Sequence, residues 1–175
     1  MSKDRRNMIT KKEIIKHLDK VKQYLKEIES QEEWVEINDQ NCPTLKNYGV
    51  KPFRIMKRKM RKDGKVWNNI NYFDAKKEAE KLGYRLPDVR EILALLEQYR
   101  KTRKNYSYKD DEFLGITELS YDNDVCYEWL DIEGVAAIRG GNWNTGAAAG
   151  PFTLDLDNAP SYVSTYFGFR MAKTI

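Results

Sequence analysis

From Ile138 to Arg170 the chain reads IRGGNWNTGAAAGPFTLDLDNAPSYVSTYFGFR, and two kinds of position interleave along it. Arg139, Gly140, Gly141, Trp143, Gly146, Gly150, Phe152, Leu154, Leu156, Pro160, Gly168, Phe169 and Arg170 are rigid, structural choices. Between them lies a scatter of Thr, Ala, Asp, Tyr and Ser with no period of its own. Glycines allow main-chain shapes that a side chain would block, and buried rings can anchor such a chain from below. The mixture implies a fixed scaffold carrying exchangeable surface residues, which a binding face needs and a catalytic site does not.

The rest of the composition sets the frame. A chain of 175 residues is the size of one domain with room for an appendage. With 41% hydrophobic and 12% aromatic residues it can build a packed core, and 33% charged residues mark a water-soluble composition. Its apolar runs are far too short to span a bilayer, so no membrane insertion is expected. The start, MSKDRRNMITKKEIIKH, is basic with no apolar stretch behind it, so no secretory signal is expected. That leaves use inside the cell, or export within a larger particle or by another route.

Two cysteines, Cys42 and Cys126, make no disulfide framework and are expected as buried thiols. The single histidine, His17, falls on a predicted helix among charges and reads as a solvated residue. One His and two distant Cys argue against a zinc site; no cofactor and no metal are expected. Net charge is +4, unevenly spread: residues 105–175 hold 4 basic against 11 acidic side chains. The basic remainder could meet an acidic partner or pack on the acidic half.

Along the chain, Ile14, Leu18, Val21, Leu25 and Ile28 recur at spacings of 4, 3, 4 and 3 and predict a helix over 11–31. Thr10 and Glu13 form its capping box. The seam fits a helix lying on its own domain or one used for oligomerisation or docking. Trp34–Ile37 reads as a short strand and 38–49 as loop. Asp63-Gly64 divides a hairpin, since both residues tolerate positive φ. The hairpin is basic through Arg54, Lys57, Arg58, Lys59, Arg61, Lys62 and Lys65. Asp74 is expected to cap a helix that Gly83 ends, and Pro87 or Asp88 to open a second, with Val89, Ile92, Leu93, Leu96 and Tyr99 inward. Strands follow at Val125–Leu130 and Val135–Arg139, with a last one around Tyr166–Met171. Helices bracketed by short strands and much loop imply an α+β domain.

In order, FDAKKEAEKLGYRLP, DVCYEWLD, IRGGNWN and GFR resemble the C-type-lectin-like fold of the formylglycine-generating-enzyme type. The tail RGGNWNTGAAAGPFTLDLDNAP…FGFR is more similar to the variable proteins of diversity-generating retroelements, over roughly residues 66–175. In that family a reverse transcriptase copies a template with errors at adenines, and Asn codons are the usual targets. The resemblance implies a domain over 51–175, with a variable region at about 138–170, behind an N-terminal helical segment and linker at 1–50 that could also pack on it. It implies variable, ligand-binding positions at Asn142, Thr145, Ala148, Asp155, Asp157, Tyr162, Ser164 and Tyr166. Scaffold positions are Trp143, Gly146, Gly150, Phe152, Gly168, Phe169 and Arg170. Leu154 and Leu156 alternate with Asp155 and Asp157, so one set is expected inward. Tyr162 and Tyr166 are the expected hot spots.

What this implies is non-enzymatic recognition of a macromolecular, protein ligand, displayed on a virion or cell surface, with oligomerisation open through the N-terminal helix. Three alternatives stand beside it. The oxidase chemistry of the enzyme relatives relies on cysteines late in the fold, and none follows Cys126. A calcium-dependent lectin could use Asp122, Asn123, Asp124, Glu128, Asp155 and Asp157, although the sugar-binding EPN and QPD triplets are absent. A nucleic-acid binder could use the basic hairpin 54–65 with Lys101, Arg103 and Lys104, but the stacking aromatics of a single-strand binder are sparse there.

Overall fold

The computed structural model describes residues 10–31, 34–102, 113–117, 127–140 and 154–175, with side chains of the first helix described to residue 22. The chain divides into two compact units, Met1–Glu32 and Glu33–Ile175.

Among its described residues, the first unit holds one helix, α1 (Lys11–Gln31). Its start is the expected capping box: the Glu13 amide donates to Thr10 Oγ1 at 3.3 Å, and the Thr10 amide donates to Glu13 Oε2 at 2.8 Å. His17 is exposed on it.

The second unit begins with β1 (Trp34–Ile37), which pairs antiparallel with β2 (Phe53–Met56); β2 pairs in turn with the last strand, β9 (Ala172–Thr174). The two ends of the unit therefore meet in one sheet. Between β1 and β2, where the sequence reads as loop, a 3-10 helix forms at Pro43–Tyr48 and buries Thr44 and Leu45. Thr44 Oγ1 donates to the Ala94 carbonyl at 2.6 Å, which ties this turn to a later helix. Cys42 is a free, buried thiol, as expected; Cys126 lies outside the described residues.

The hairpin forms at Asp63-Gly64 between β3 (Arg61–Lys62) and β4 (Lys65–Val66), with φ of 53° and 77° at the turn. The extended pattern before it does not run unbroken from Phe53 to Met60. Strand β2 stops at Met56 because the Met56 and Lys57 carbonyls turn to accept from Arg170 Nη1, at 3.2 and 3.1 Å.

Two helices follow, α2 (Tyr72–Lys81) and α3 (Val89–Thr102). The α2 cap is Asn71, not Asp74. Asn71 Oδ1 accepts from the Asp74 amide at 2.9 Å, and Asn71 Nδ2 donates to Asp74 Oδ2 at 2.8 Å. The helix starts earlier than expected because Tyr72 is buried: its ring meets Trp129 and its hydroxyl donates to Asp131 at 2.9 Å. At α3, Asp88 accepts from the Arg90 amide at 2.7 Å, while Glu91 accepts from the Asp88 amide at 2.8 Å.

The central sheet has the order β7-β6-β5-β8, from β5 (Tyr127–Ile132), β6 (Val135–Gly140), β7 (Leu154–Asp155) and β8 (Phe167–Gly168). Strands β5 and β6 join at Glu133-Gly134, both with positive φ. Strand β8 runs parallel to β5, while the other pairs are antiparallel. Alternation along β5 divides the core. Tyr127 and Trp129 join one cluster with Tyr72, Phe167 and Phe169, and Leu130 joins the other with Ile92, Leu95 and Phe53. This is the α+β arrangement of short sheets, two helices and long connections that the C-type-lectin-like resemblance implies.

Candidate ligand-binding face

Strand β7 is one edge of the central sheet and β8 is the other. With strands about 4.8 Å apart, the two edges lie roughly 14 Å from each other. The connection 156–166 bridges them, and it carries the nominated residues Asp157, Tyr162, Ser164 and Tyr166.

Its main chain is held from outside. The Tyr72 amide donates to the Pro160 carbonyl at 3.0 Å, and the Asn69 amide to the Ser164 carbonyl at 3.1 Å. Asn68 Nδ2 donates to the Thr165 carbonyl at 2.9 Å, and the Tyr127 amide to the Tyr166 carbonyl at 3.0 Å. All four acceptors are backbone oxygens, which any residue supplies. Three donors come from residues 68–72, the end of the β4–α2 loop and the first residue of α2. Asn69 holds a positive φ of 58° there, a conformation Asn tolerates better than most residues. No sequence motif named above assigns residues 68–72 this anchoring role. The Asn68-Asn69 pair, a turn signal inside an apolar run, is what could have found it.

The side chains on this frame differ in freedom. Asp157 is exposed, and Tyr162 is 51% exposed with its ring against the edge of Phe167. Ser164 is half-buried, and its Oγ accepts from the Tyr166 amide at 3.2 Å. Tyr166 is also half-buried and packs on the cluster around Trp129. Asp155 is bound locally: Oδ1 accepts from the Asp157 amide at 2.8 Å and Oδ2 from Asn158 Nδ2 at 2.9 Å. It braces a turn.

The alternation expected at 154–157 does not bury either leucine. Leu154 is exposed, and Leu156 is 58% exposed. Strand β7 lasts only two residues at a sheet edge, so the chain leaves the pleat before alternation can turn Leu156 inward. These leucines and Val163 add apolar surface to the face. Asn142, Trp143, Thr145, Gly146, Ala148, Gly150 and Phe152 lie outside the described residues.

Below the face, Gly168, Phe169 and Arg170 are all buried. Arg170 donates to Glu128 Oε1 from Nε at 2.8 Å and from Nη2 at 2.5 Å. Arg139 Nη2 donates to Glu128 Oε2 at 2.8 Å. Burial alone would push the Glu128 carboxyl up; the charges of Arg139, Arg170 and Lys59, with the Arg170 hydrogen bond, outweigh it and hold the pKa at about 2. Both carboxylate oxygens face guanidinium groups, so Glu128 is an internal counter-ion and not the calcium ligand the lectin alternative needs. Asp122, Asn123 and Asp124 lie outside the described residues. Among the described residues, no cluster of three or more His, Cys, Asp or Glu could hold a metal ion.

The basic hairpin is partly committed elsewhere. Lys59 is buried, Arg54 pairs with Glu36 at 3.0 Å, and Lys62 sits 4.8 Å above the Trp67 ring. A cleft of about 350 Å³ lies between the 49–53 loop and the Arg85–Glu91 segment. Five of its charged side chains are paired: Arg85 with Glu91 at 2.5 Å, Arg90 with Asp88 at 3.0 Å, and Asp131 with Lys76 at 2.8 Å. Among the described residues, no helix is long and apolar enough to cross a membrane.

The fold and the face define an α+β domain whose edge-to-edge connection is surface-exposed on a carbonyl-anchored main chain. No family model matches the chain, and no curated protein does. Two solved structures are similar to it. The Major Tropism Determinant U1 variant is 14% identical over 79% of this chain and 48% of its own, with a TM-score of 0.45. The Major Tropism Determinant M1 variant is 14% identical over 80% of this chain and 48% of its own, with a TM-score of 0.47. The chain thus spans about half the length of each.

Proposed function

We propose that this is a non-enzymatic recognition protein whose tail, about 138–170, is diversified by a retroelement and presented to a macromolecular ligand, most simply a protein. The observation that carries this reading is the anchoring of the connection 156–166 through carbonyls. A frame held at Pro160, Ser164, Thr165 and Tyr166 by groups outside the tail leaves the exposed side chains it displays, Asp157 and Tyr162 among them, free to change, while Ser164 and Tyr166 keep local contacts of their own. Exposed Asp157 and Tyr162, with Leu154, Leu156 and Val163, then offer a mixed polar, aromatic and apolar surface suited to protein contact. Tyr162 has the attributes of an anchor: large, half exposed and backed by a buried ring. The want of any cysteine after Cys126 speaks against oxidase chemistry of the enzyme relatives. Display on a virion or cell surface belongs to the same proposal.

Two tests address its two parts. Sequencing the DNA around the gene should reveal a near-copy of the tail-coding segment, differing chiefly where the copy has adenine, beside a reverse-transcriptase gene. Uniform neighbouring DNA without such a copy would contradict diversification. For recognition, exchanging Asp157, Tyr162 and Val163 together should abolish or redirect capture of the cell or protein target. Unchanged capture would place the ligand elsewhere on the molecule.

A further inference from the structure

The first unit has no sheet or second helix among its described residues; α1 is a single helix of 21 residues. Its apolar residues Ile14, Leu18, Val21, Leu25 and Ile28 fall at heptad positions d, a, d, a and d. Of the described side chains in that seam, Ile14, Leu18 and Val21 are between 41% and 52% exposed, and Ile15, beside them at position e, is exposed as well. A lone Lys-rich helix of this length is marginal in water and draws most of its stability from packing one face.

We infer that α1 is a self-association element, through which three or four copies of this chain join in a parallel coiled coil. The spacing of 3.5 residues suits a helix that packs on copies of itself, where each seam is the complement of the next. The identities at the seam also choose the number of strands. Leu18 and Leu25 at a, with Ile14 and Ile28 at d, is the distribution that favours more than two helices, whereas β-branched residues at a with Leu at d favour two. Ile15 widens the apolar strip, as a helix with two neighbours requires. Lys11 fills the first a position, so the seam begins at Ile14.

The area sets the expected strength. From Ile14 to Ile28 the seam is about 21 Å long at 1.5 Å per residue. Two flanks, each about 10 Å wide, bury on the order of 400 Å² per protomer, about half the 800 Å² of a standard specific partner. A seam of this size makes association weak and concentration-dependent. If the face proposed above binds a ligand, assembly would bring several faces to one target and raise avidity without new contacts. The self-association itself needs no ligand, so its failure and the failure of that reading are separable.

The test is sedimentation velocity of the full chain from low to high micromolar concentration. The expected result is a shift from the 20.6 kDa monomer toward three or four times that mass. Leu18→Glu should hold the chain monomeric while the melting transition of the second unit stays in place. An isomer swap (I14L, L18I, V21L, L25I, I28L) keeps the seam apolar and should lower the stoichiometry toward two; general stickiness would not respond to it. A chain that stays monomeric at high concentration, an assembly untouched by Leu18→Glu, or a stoichiometry unmoved by the swap would each overturn the inference.

Discussion

Asn68 Nδ2 donates to the carbonyl of Thr165 at 2.9 Å across 97 positions of sequence. The bond joins a side chain outside the tail to a backbone atom inside it, so the two partners should respond to substitution in opposite ways. Asn68→Ala removes the donor and should destabilise by about 1 kcal/mol, a loss of a few degrees in Tm. Thr165→Ala, Ser or Tyr keeps the acceptor and should stay within about 0.5 kcal/mol. Calorimetry on the four variants checks the contrast.

Glu128 should be the most sensitive single position in the second unit. Glu128→Gln removes the carboxylate charge that pairs with buried Arg139 and Arg170, which costs roughly 3–5 kcal/mol. The pH dependence follows from its depressed pKa. The carboxyl titrates near 4.5 when unfolded and at about 2 when folded, so its stabilisation is fully present above pH 4.5 and is lost as pH falls toward 2. The shift corresponds to roughly 3 kcal/mol. Urea unfolding from pH 6 down to pH 2 should show this loss in the wild type, and Glu128→Gln should flatten it.

Tyr162 and Tyr166 are not equivalent, although both are expected hot spots. Tyr162→Ser removes a half-exposed ring and should cost little stability while weakening ligand binding by on the order of 2 kcal/mol. Tyr166 packs on the Trp129 cluster, so Tyr166→Ser should lower stability by about 1–2 kcal/mol as well. Paired measurements of Tm and ligand affinity separate the two.

The two tail aspartates divide in the same way. Asp155→Ala deletes the acceptors for the Asp157 amide and the Asn158 side chain and should cost about 1 kcal/mol. Asp157→Ala should fall within about 0.5 kcal/mol of the wild type. Chemical denaturation of the single variants gives both numbers.

Much of the architecture is legible in the sequence because local chemistry decides it. The Thr10–Glu13 box, the Asp63-Gly64 turn and the period of α3 each act within a few residues. Elsewhere tertiary packing wins over the local signal. Asn71 and Asp74 are both good caps three residues apart, and the burial of Tyr72 selects the earlier one. Within the face, the exposure of Asp157 and Tyr162 follows from their place between scaffold residues. The exposure of Leu154 and Leu156 does not, because it depends on how soon the edge strand β7 ends. Glu128 sits in an apolar run, and the sequence offers it only as a calcium ligand of the lectin alternative. Its partners lie 11 and 42 residues away, so no local pattern reports the pairing.

Amide hydrogen exchange tests the central claim most directly. The Asn69, Tyr72 and Tyr127 amides donate to the Ser164, Pro160 and Tyr166 carbonyls. Their protection should be the same in the wild type and in a variant with Asp157, Tyr162, Val163 and Thr165 all exchanged, because the frame is held by backbone atoms the exchange does not touch. Loss of protection at these three amides in the variant would show that the side chains hold the frame, and would contradict the account.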